Sequence, residues 1–385
     1  MRKPINLAID ASNIHSEGGL LHLKGILSSQ KLPNKYVYKI NIWGFSESLE
    51  RFPKSNYIVH HELPKIFKNI FLRFFWQLFL LPKNNFLKQC HAFYVPSGIC
   101  LFSPLPIILF FQNLIPFQWF NLKKYKFSIT FFRLILIRIF QIISSHFACS
   151  IIFPSKFSLN VISSSFFFNS KVPLSTIYHG VDQNFCFTPS PQKSIKHFSQ
   201  NKPFIISYIS IIDVYKNHLN VFKAVKEIID KKNLPLHLQF IGSSNSKFAK
   251  NLLYQISQNK DVRSWFSYIP EISHELLPNV YKNSNLIINA SSCESFGMAG
   301  VESILSGQPV LASSSTVYQE ILGKGAIYFN ETDVNDIYNS ILNCIYSVER
   351  RNMVVLEASK KSRKFTWEEC SSRTFKKIIN SISKK

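Results

Sequence analysis

The sequence predicts an α/β protein built from two parallel sheets covered by helices, and three observations carry that prediction. Its 385 residues exceed the size at which one hydrophobic core keeps growing, so two domains of roughly 150 to 200 residues are the natural division. Short apolar runs recur with helical-looking segments between them, the pattern of parallel strands joined by crossover helices. The polar, proline-bearing stretch from Thr188 to Ser194 interrupts the series, and the strands restart after it.

In order, the apolar runs of the first half predict strands at Ile5 to Asp10, Val37 to Trp43, Ala92 to Val95, Ile107 to Phe111, Ser150 to Phe153 and Ser175 to Tyr178. The second half continues with Phe204 to Ser210, His237 to Ile241, Leu286 to Asn289, Pro309 to Ala312 and Ala326 to Phe329. Helical patterns close the chain at Val348 to Lys364 and about Trp367 to Ile382. The expected division is a first domain over 1–190, a second over 191–365, and a terminal helix over 366–385 that can pack back onto the first.

Composition narrows the function classes. With 46% hydrophobic, 17% charged and 15% aromatic residues, the chain is globular and not disordered. Forty-five Lys and Arg against 22 Asp and Glu leave a formal charge of +23, which implies a polyanionic partner: nucleic acid, anionic lipid or a phosphorylated substrate. No recognised nucleic-acid motif accompanies the charge, so nucleic acid is set aside. The seven cysteines, at 90, 100, 149, 186, 293, 344 and 370, show no paired spacing, and an odd number cannot all be bridged within one chain. Buried thiols in a reducing compartment are expected. The first residues read as a strand rather than a signal peptide. The apolar stretches near 101–120 and 127–153 are interrupted by Pro104, Pro106 and Pro116 and by Arg133 and Arg138, so neither is expected to span a membrane. A cytoplasmic location follows as the expectation.

Chemistry concentrates in Ser291-Ser292-Cys293-Glu294-Ser295-Phe296-Gly297-Met298-Ala299-Gly300-Val301-Glu302. A strand precedes this stretch and a helix opens within it, so the backbone N–H groups of Phe296, Gly297 and Met298 can point at one bound anion. The helix dipole favours phosphate there by about 0.3 to 1 kcal/mol when exposed. Glu294 and Glu302 flank the turn and can accept hydrogen bonds from sugar hydroxyls. By spacing alone the two acids read rather as a helix-capping residue and a solvated or ion-paired helix residue.

In context, the stretch resembles the Glu-x7-Glu signature of family four of the retaining glycosyltransferases. It has the Glu-x-Phe-Gly core and, from Ser306, the Ser-Gly-x-Pro-Val-x-Ala-Ser run. The resemblance covers nearly the whole chain and implies the GT-B fold, two Rossmann-like domains facing across a cleft, with 1–190 as the acceptor domain and 191–365 as the nucleotide-sugar-binding domain. It assigns Glu294 to the donor sugar and Glu302 to the ribose hydroxyls. Tyr208 to Asn217 resembles the strand and loop whose lysine holds the donor diphosphate, which makes Lys216 the phosphate clamp. Relatives usually carry an arginine a few residues earlier. Here Ser210 and Ile211 stand in its place, so one positive charge is missing and Ser210 remains as a donor contact. Tyr268-Ile269-Pro270 resembles the segment that receives the nucleotide base, through backbone around Ile269.

Three first-half motifs complete the resemblance. Gly18 and Gly19 resemble the family's glycine-rich first loop, where backbone approaches a diphosphate closely; alone, such a pair is an ordinary turn. Gln112 and Asn113 stand where most relatives have His-Asp. An amide orients a sugar hydroxyl but carries no proton near neutral pH, so Gln112 enters the catalytic set as an orienting group, with a loop-tying amide as the plain alternative. His179 and Gly180 match late first-domain landmarks, and His179 reads as structural or functional alike.

Two basic, aromatic segments, Ile66 to Pro82 and Lys123 to Arg138, suit helices lying on an anionic membrane or core helices whose cations reach outward. No Asp-x-Asp occurs, so no metal or other cofactor is expected, and Lys216 with helix N-termini must neutralise the leaving diphosphate. The reading is a metal-independent retaining hexosyltransferase of cell-surface polysaccharide, lipopolysaccharide or glycolipid synthesis. Its partners are a nucleotide-sugar donor, a glycan or lipid-linked acceptor and an anionic membrane surface. A nucleotide-sugar 2-epimerase on the same fold and a non-catalytic, membrane-associated sugar-nucleotide sensor are the alternatives.

Overall fold

The computed structural model describes residues 4–14, 17–29, 34, 36–314, 317–361 and 364–382; His15 and Ser16, within the glycine-bearing stretch, lie outside them. Two compact units result, residues 1–180 with 366–385, and residues 181–365.

The first unit holds a seven-stranded sheet: β1 Ile5–Asp10, β2 Val37–Gly44, β3 Ile58–Glu62, β4 Ala92–Val95, β5 Ile107–Phe110, β6 Ala148–Phe153 and β7 Leu174–Thr176. The spatial order is β3-β2-β1-β4-β5-β6-β7, with every neighbouring pair parallel. Helices cover both faces, so central strands such as β4 and β5 are buried along their whole length and read as uninterrupted apolar runs. Leu7, Ile9, Ile42 and Ile108 are fully buried, each contributing about 1.5 to 3 kcal/mol.

The terminal helix Trp367–Ile382 belongs to this unit, against the helix Glu17–Ser28. Ser371 Oγ donates to the Ile26 carbonyl at 2.6 Å. A Cβ on Gly25 would stand 2.2 Å from the Trp367 ring, so only glycine admits this approach.

The second unit holds six strands: β8 Phe204–Ile209, β9 Leu236–Ile241, β10 Phe266–Ile269, β11 Leu286–Asn289, β12 Val310–Ser313 and β13 Ile327–Phe329. Their order is β10-β9-β8-β11-β12-β13, again parallel throughout. Two parallel-sheet, Rossmann-like domains therefore make up the chain.

Three features differ from the sequence reading. β3 and β10 were not foreseen. Both are edge strands: Ile-Val-His-His-Glu lacks an apolar run, and Phe266–Ile269 is only half-buried throughout and interrupted by Ser267. The division falls at Gly180/Val181, upstream of the Thr188–Ser194 stretch, because backbone bonds tie that stretch into the second unit. Phe187 N–H donates to the Leu305 carbonyl and Ser190 N–H to the Gly307 carbonyl, both at 2.9 Å. Finally, Ile129–Phe147 is one uninterrupted helix, long and apolar enough by length and composition to cross a membrane, with Arg133 and Arg138 inside it. None of the seven cysteines is in a disulfide.

Candidate active site

In the second sheet the strand order reverses between β8 and β11, and open parallel sheets gather ligands at the carboxyl ends of such strands. The loop after β8 is pinned to the loop after β11 by Asn217, a non-glycine residue with φ of 52°. Its Nδ2 donates to the Ala290 carbonyl and to Ser292 Oγ, both at 2.7 Å, while Ser292 N–H donates to the Tyr215 carbonyl at 2.8 Å. This stitching brings Lys216 Nζ into a hydrogen-bonded ion pair with Glu294 Oε1. Their side chains are 12% and 17% exposed, so the pair is sheltered yet reachable. An ammonium has three donors, and one carboxylate leaves Lys216 capacity for phosphate oxygens.

Gly297 opens the helix Met298–Leu305 with φ of 79°, and a Cβ there would stand 2.4 Å from Tyr318 Cε1. Phe296 is buried edge-on to Phe365, with ring centroids 5.7 Å apart. Phe296 therefore anchors the turn by its side chain and offers only backbone to a ligand, and Met298 is the first helical residue.

Glu302 lies in the second turn of that helix and is 5% exposed. Tyr281 Oη donates to its Oε2 at 3.1 Å, and His274 Nε2 lies 3.1 Å from its Oε1. Burial, and next the Glu302 charge, push the Tyr281 phenol well above its ordinary range, so it stays a donor. Ser210 follows β8 and donates its N–H to the Ile241 carbonyl at 2.8 Å; the Ile269 carbonyl, ending β10, accepts from Gly242 N–H at 3.0 Å. Both sit at the carboxyl edge of the sheet, where Lys216 and Glu294 lie on the loops after the adjacent strands β8 and β11.

The other candidates belong to the first unit. Gly18 and Gly19 are not in a loop but in the first turn of the helix Glu17–Ser28, where Gly18 is exposed and Gly19 buried. Gln112 Nε2 donates to the Pro96 carbonyl at 3.0 Å, and Gln112 and Gly19 line one cavity. Sequence reasoning missed His274, a loop residue with no motif around it, and read the arginines of that cavity only as part of two basic, aromatic segments.

Among the described residues, one cluster, His22, His179 and Cys370 in the first unit, could present three metal ligands, its atoms within 4.8 Å of one another. No spacing in the sequence signals it, since the three come from distant positions. The His22 ring nitrogens meet His179 Nδ1 at 3.0 Å and Tyr94 Oη at 2.8 Å. Burial holds His22 well below the ordinary imidazole range and lowers His179 to about 3, so both are neutral.

Residues 190–361 match the family model described as glycosyl transferases group 1. The second unit carries a group 1 glycosyltransferase domain. The O-antigen chain mannosyltransferase B of Escherichia coli is 25% identical over 167 residues, 43% of this chain and 43% of that protein. The matched stretch is thus less than half of that relative. Two solved structures share the whole fold. Sucrose-phosphate synthase of Thermosynechococcus elongatus is 13% identical with a TM-score of 0.76, each chain covered completely. Anabaena HepE, solved in complex with UDP-glucose, is 15% identical with a TM-score of 0.71, covering 98% of this chain and all of its own. The glycosyltransferase domain and the first unit together have the GT-B fold.

Proposed function

We propose that the chain is a metal-independent, retaining glycosyltransferase that moves a sugar from a nucleoside diphosphate sugar onto a glycan or lipid-linked acceptor in cell-surface polysaccharide, lipopolysaccharide or glycolipid synthesis. The observation that carries this reading is the Lys216–Glu294 pair at the β8/β11 reversal, beside the amino end of the helix Met298–Leu305. Lys216 and that helix terminus stabilise the negative charge that grows on the leaving diphosphate. Glu294 accepts hydrogen bonds from the donor sugar, and Glu302, held by Tyr281 and His274, accepts them from the ribose. Ser210 and the backbone around Ile269 complete the donor contacts.

In the reaction the bond from the anomeric carbon to the diphosphate oxygen breaks, its electron pair staying on the diphosphate. The acceptor oxygen bonds to the anomeric carbon on the same face, and its proton passes to the leaving phosphate oxygen. No protein nucleophile is required. A UDP-sugar is the first donor to try because HepE is held with UDP-glucose, and a nucleotide mannose the second because the Escherichia coli relative is a mannosyltransferase.

The first domain adds a surface for an anionic membrane. Phe71, Phe120, Phe127 and Ile129 are 80%, 65%, 85% and 89% exposed, and Lys123 and Lys124 lie over the Trp119 and Phe120 rings. Incubation with a donor panel and lipid-linked acceptors tests the reading. Free nucleoside diphosphate with glycosylated acceptor of unchanged anomeric configuration supports it. An isomerised donor identifies an epimerase, and donor binding with no turnover identifies a sensor; either overturns it.

A further inference from the structure

We infer that His22, His179 and Cys370 bind one Zn²⁺ ion, which staples the terminal helix Trp367–Ile382 to the rest of the first unit. This goes beyond the transferase reading. The ion is structural and takes no step in sugar transfer, since Lys216, Glu294 and Glu302 belong to the second unit.

Three separate parts of the chain supply the ligands. His22 lies in the helix Glu17–Ser28, His179 follows β7, and Cys370 sits in the first turn of the terminal helix. They are 0%, 4% and 2% exposed, and their ligand atoms all lie within 4.8 Å of one another. His22 Nδ1 and His179 Nδ1 face each other at 3.0 Å. Tetrahedral zinc, with Zn–N bonds of about 2.05 Å and Zn–S bonds of about 2.3 Å, sets two nitrogens about 3.3 Å apart and nitrogen and sulfur about 3.6 Å apart. The imidazole pair already has nearly that spacing, and Cys370 Sγ reaches it with a movement of about 1 Å. Two imidazoles and a thiolate select a borderline-soft ion such as Zn²⁺ over Mg²⁺ or Ca²⁺, which take oxygen.

The surroundings of His22 point the same way. A histidine that ligates a metal almost always donates its other ring N–H to a fixed partner. His22 Nε2 lies 2.8 Å from Tyr94 Oη, and with Nε2–H given to Tyr94 the Nδ1 lone pair is turned toward His179. Phe110 stacks on the His22 ring with centroids 4.4 Å apart and fixes its plane, while Trp367 lies 6.4 Å from it. The chain leaves the first unit after Gly180 and returns at Thr366, so His179 and Cys370 stand beside the two crossings. A Cβ on Gly180 would meet the Trp367 nitrogen at 2.3 Å, which shows how closely those two segments pack. On binding, Zn²⁺ replaces the Cys370 Sγ proton, which leaves to solvent, and accepts lone pairs from two neutral imidazoles with no change of oxidation state. Water takes the fourth position.

The test produces the full chain in cells grown on minimal medium with Zn²⁺ or with Co²⁺, the latter as a spectroscopic stand-in. The purified parent should carry one metal ion per chain. Its Co²⁺ form should show the thiolate charge-transfer band in the near ultraviolet and the intense visible bands of a tetrahedral site. Removing zinc with a chelator should lower the urea midpoint of the parent. Cys370→Ser, its fold checked by circular dichroism, should lose the charge-transfer band and hold Zn²⁺ about a hundredfold or more weakly against a chromophoric chelator. Tyr94→Phe keeps all three ligands, so it should keep the band and weaken Zn²⁺ about ten- to a hundredfold. Cys186→Ser, which removes the exposed thiol, should match the parent. Three results overturn the inference: a parent chain purified without stoichiometric metal, the parent spectrum and affinity in Cys370→Ser, or loss of the band in Cys186→Ser. The last would mark an adventitious surface ion only.

Discussion

The Tyr281 hydroxyl donates to Glu302 Oε2 across 3.1 Å in the interior of the second domain, and this bond fixes the acid's orientation. Tyr281→Phe deletes the donor while keeping the packing against Phe185, 5.6 Å between ring centroids. The chain should stay folded, with stability reduced by about 1 kcal/mol. UDP affinity, read by calorimetry, should fall about three- to tenfold as the carboxylate loses its set direction, with kcat less affected than KM. Glu302→Ala should weaken UDP binding further.

Gly297 and Gly18 should respond to alanine in opposite directions. At Gly297 the left-handed φ and the Tyr318 ring 2.4 Å from a built Cβ both oppose a side chain, so Gly297→Ala should cost about 2 kcal/mol or more. At Gly18 nothing lies within 4 Å of a built Cβ, and the residue is helical. Gly18→Ala should be neutral or stabilise by about 0.5 to 1 kcal/mol. Urea midpoints of the two variants check both signs.

Acid should unfold this chain from the histidine range downward. His22, His179 and His218 are buried and neutral, with burial first in lowering each imidazole, His179 and His218 to about 3. Below pH 6.5 the unfolded chain takes up protons at these sites and the folded chain does not, so stability rises with pH between about 3 and 6.5 and is level above. Each such group contributes a slope of about 1.4 kcal/mol per pH unit across that window. His218 stacks on Tyr208 with centroids 4.3 Å apart. His218→Phe should therefore reduce the slope of the urea midpoint against pH; an unchanged slope would contradict the burial argument.

Much of this was legible in the sequence because strands covered on both faces must be apolar runs, as Ile107 to Phe110 and Leu286 to Asn289 are. Edge strands escape that rule, and β3, with two histidines, shows why. The Thr188–Ser194 stretch has linker composition, yet Arg351 donates to Gln192 Oε1 at 3.2 Å and Gln308 Nε2 to Ser190 Oγ at 3.0 Å; composition does not report such long-range partners. Within the candidate site, Glu294, Glu302 and Lys216 were singled out through their resemblance to family motifs, and the fold brings Lys216 and Glu294, 78 residues apart, into an ion pair. His274 was not, because no motif surrounds it and it meets Glu302 only through the fold.

Donor turnover by Lys216→Ala tests the account most directly. Lys216 is the cation that the fold places against Glu294 at the β8/β11 reversal, and the leaving diphosphate has need of it. With the chain folded and an accepted nucleotide sugar in hand, kcat/KM of the variant should fall about a hundredfold or more. A variant that releases nucleoside diphosphate at the parent rate would contradict the assignment of this pair to the donor.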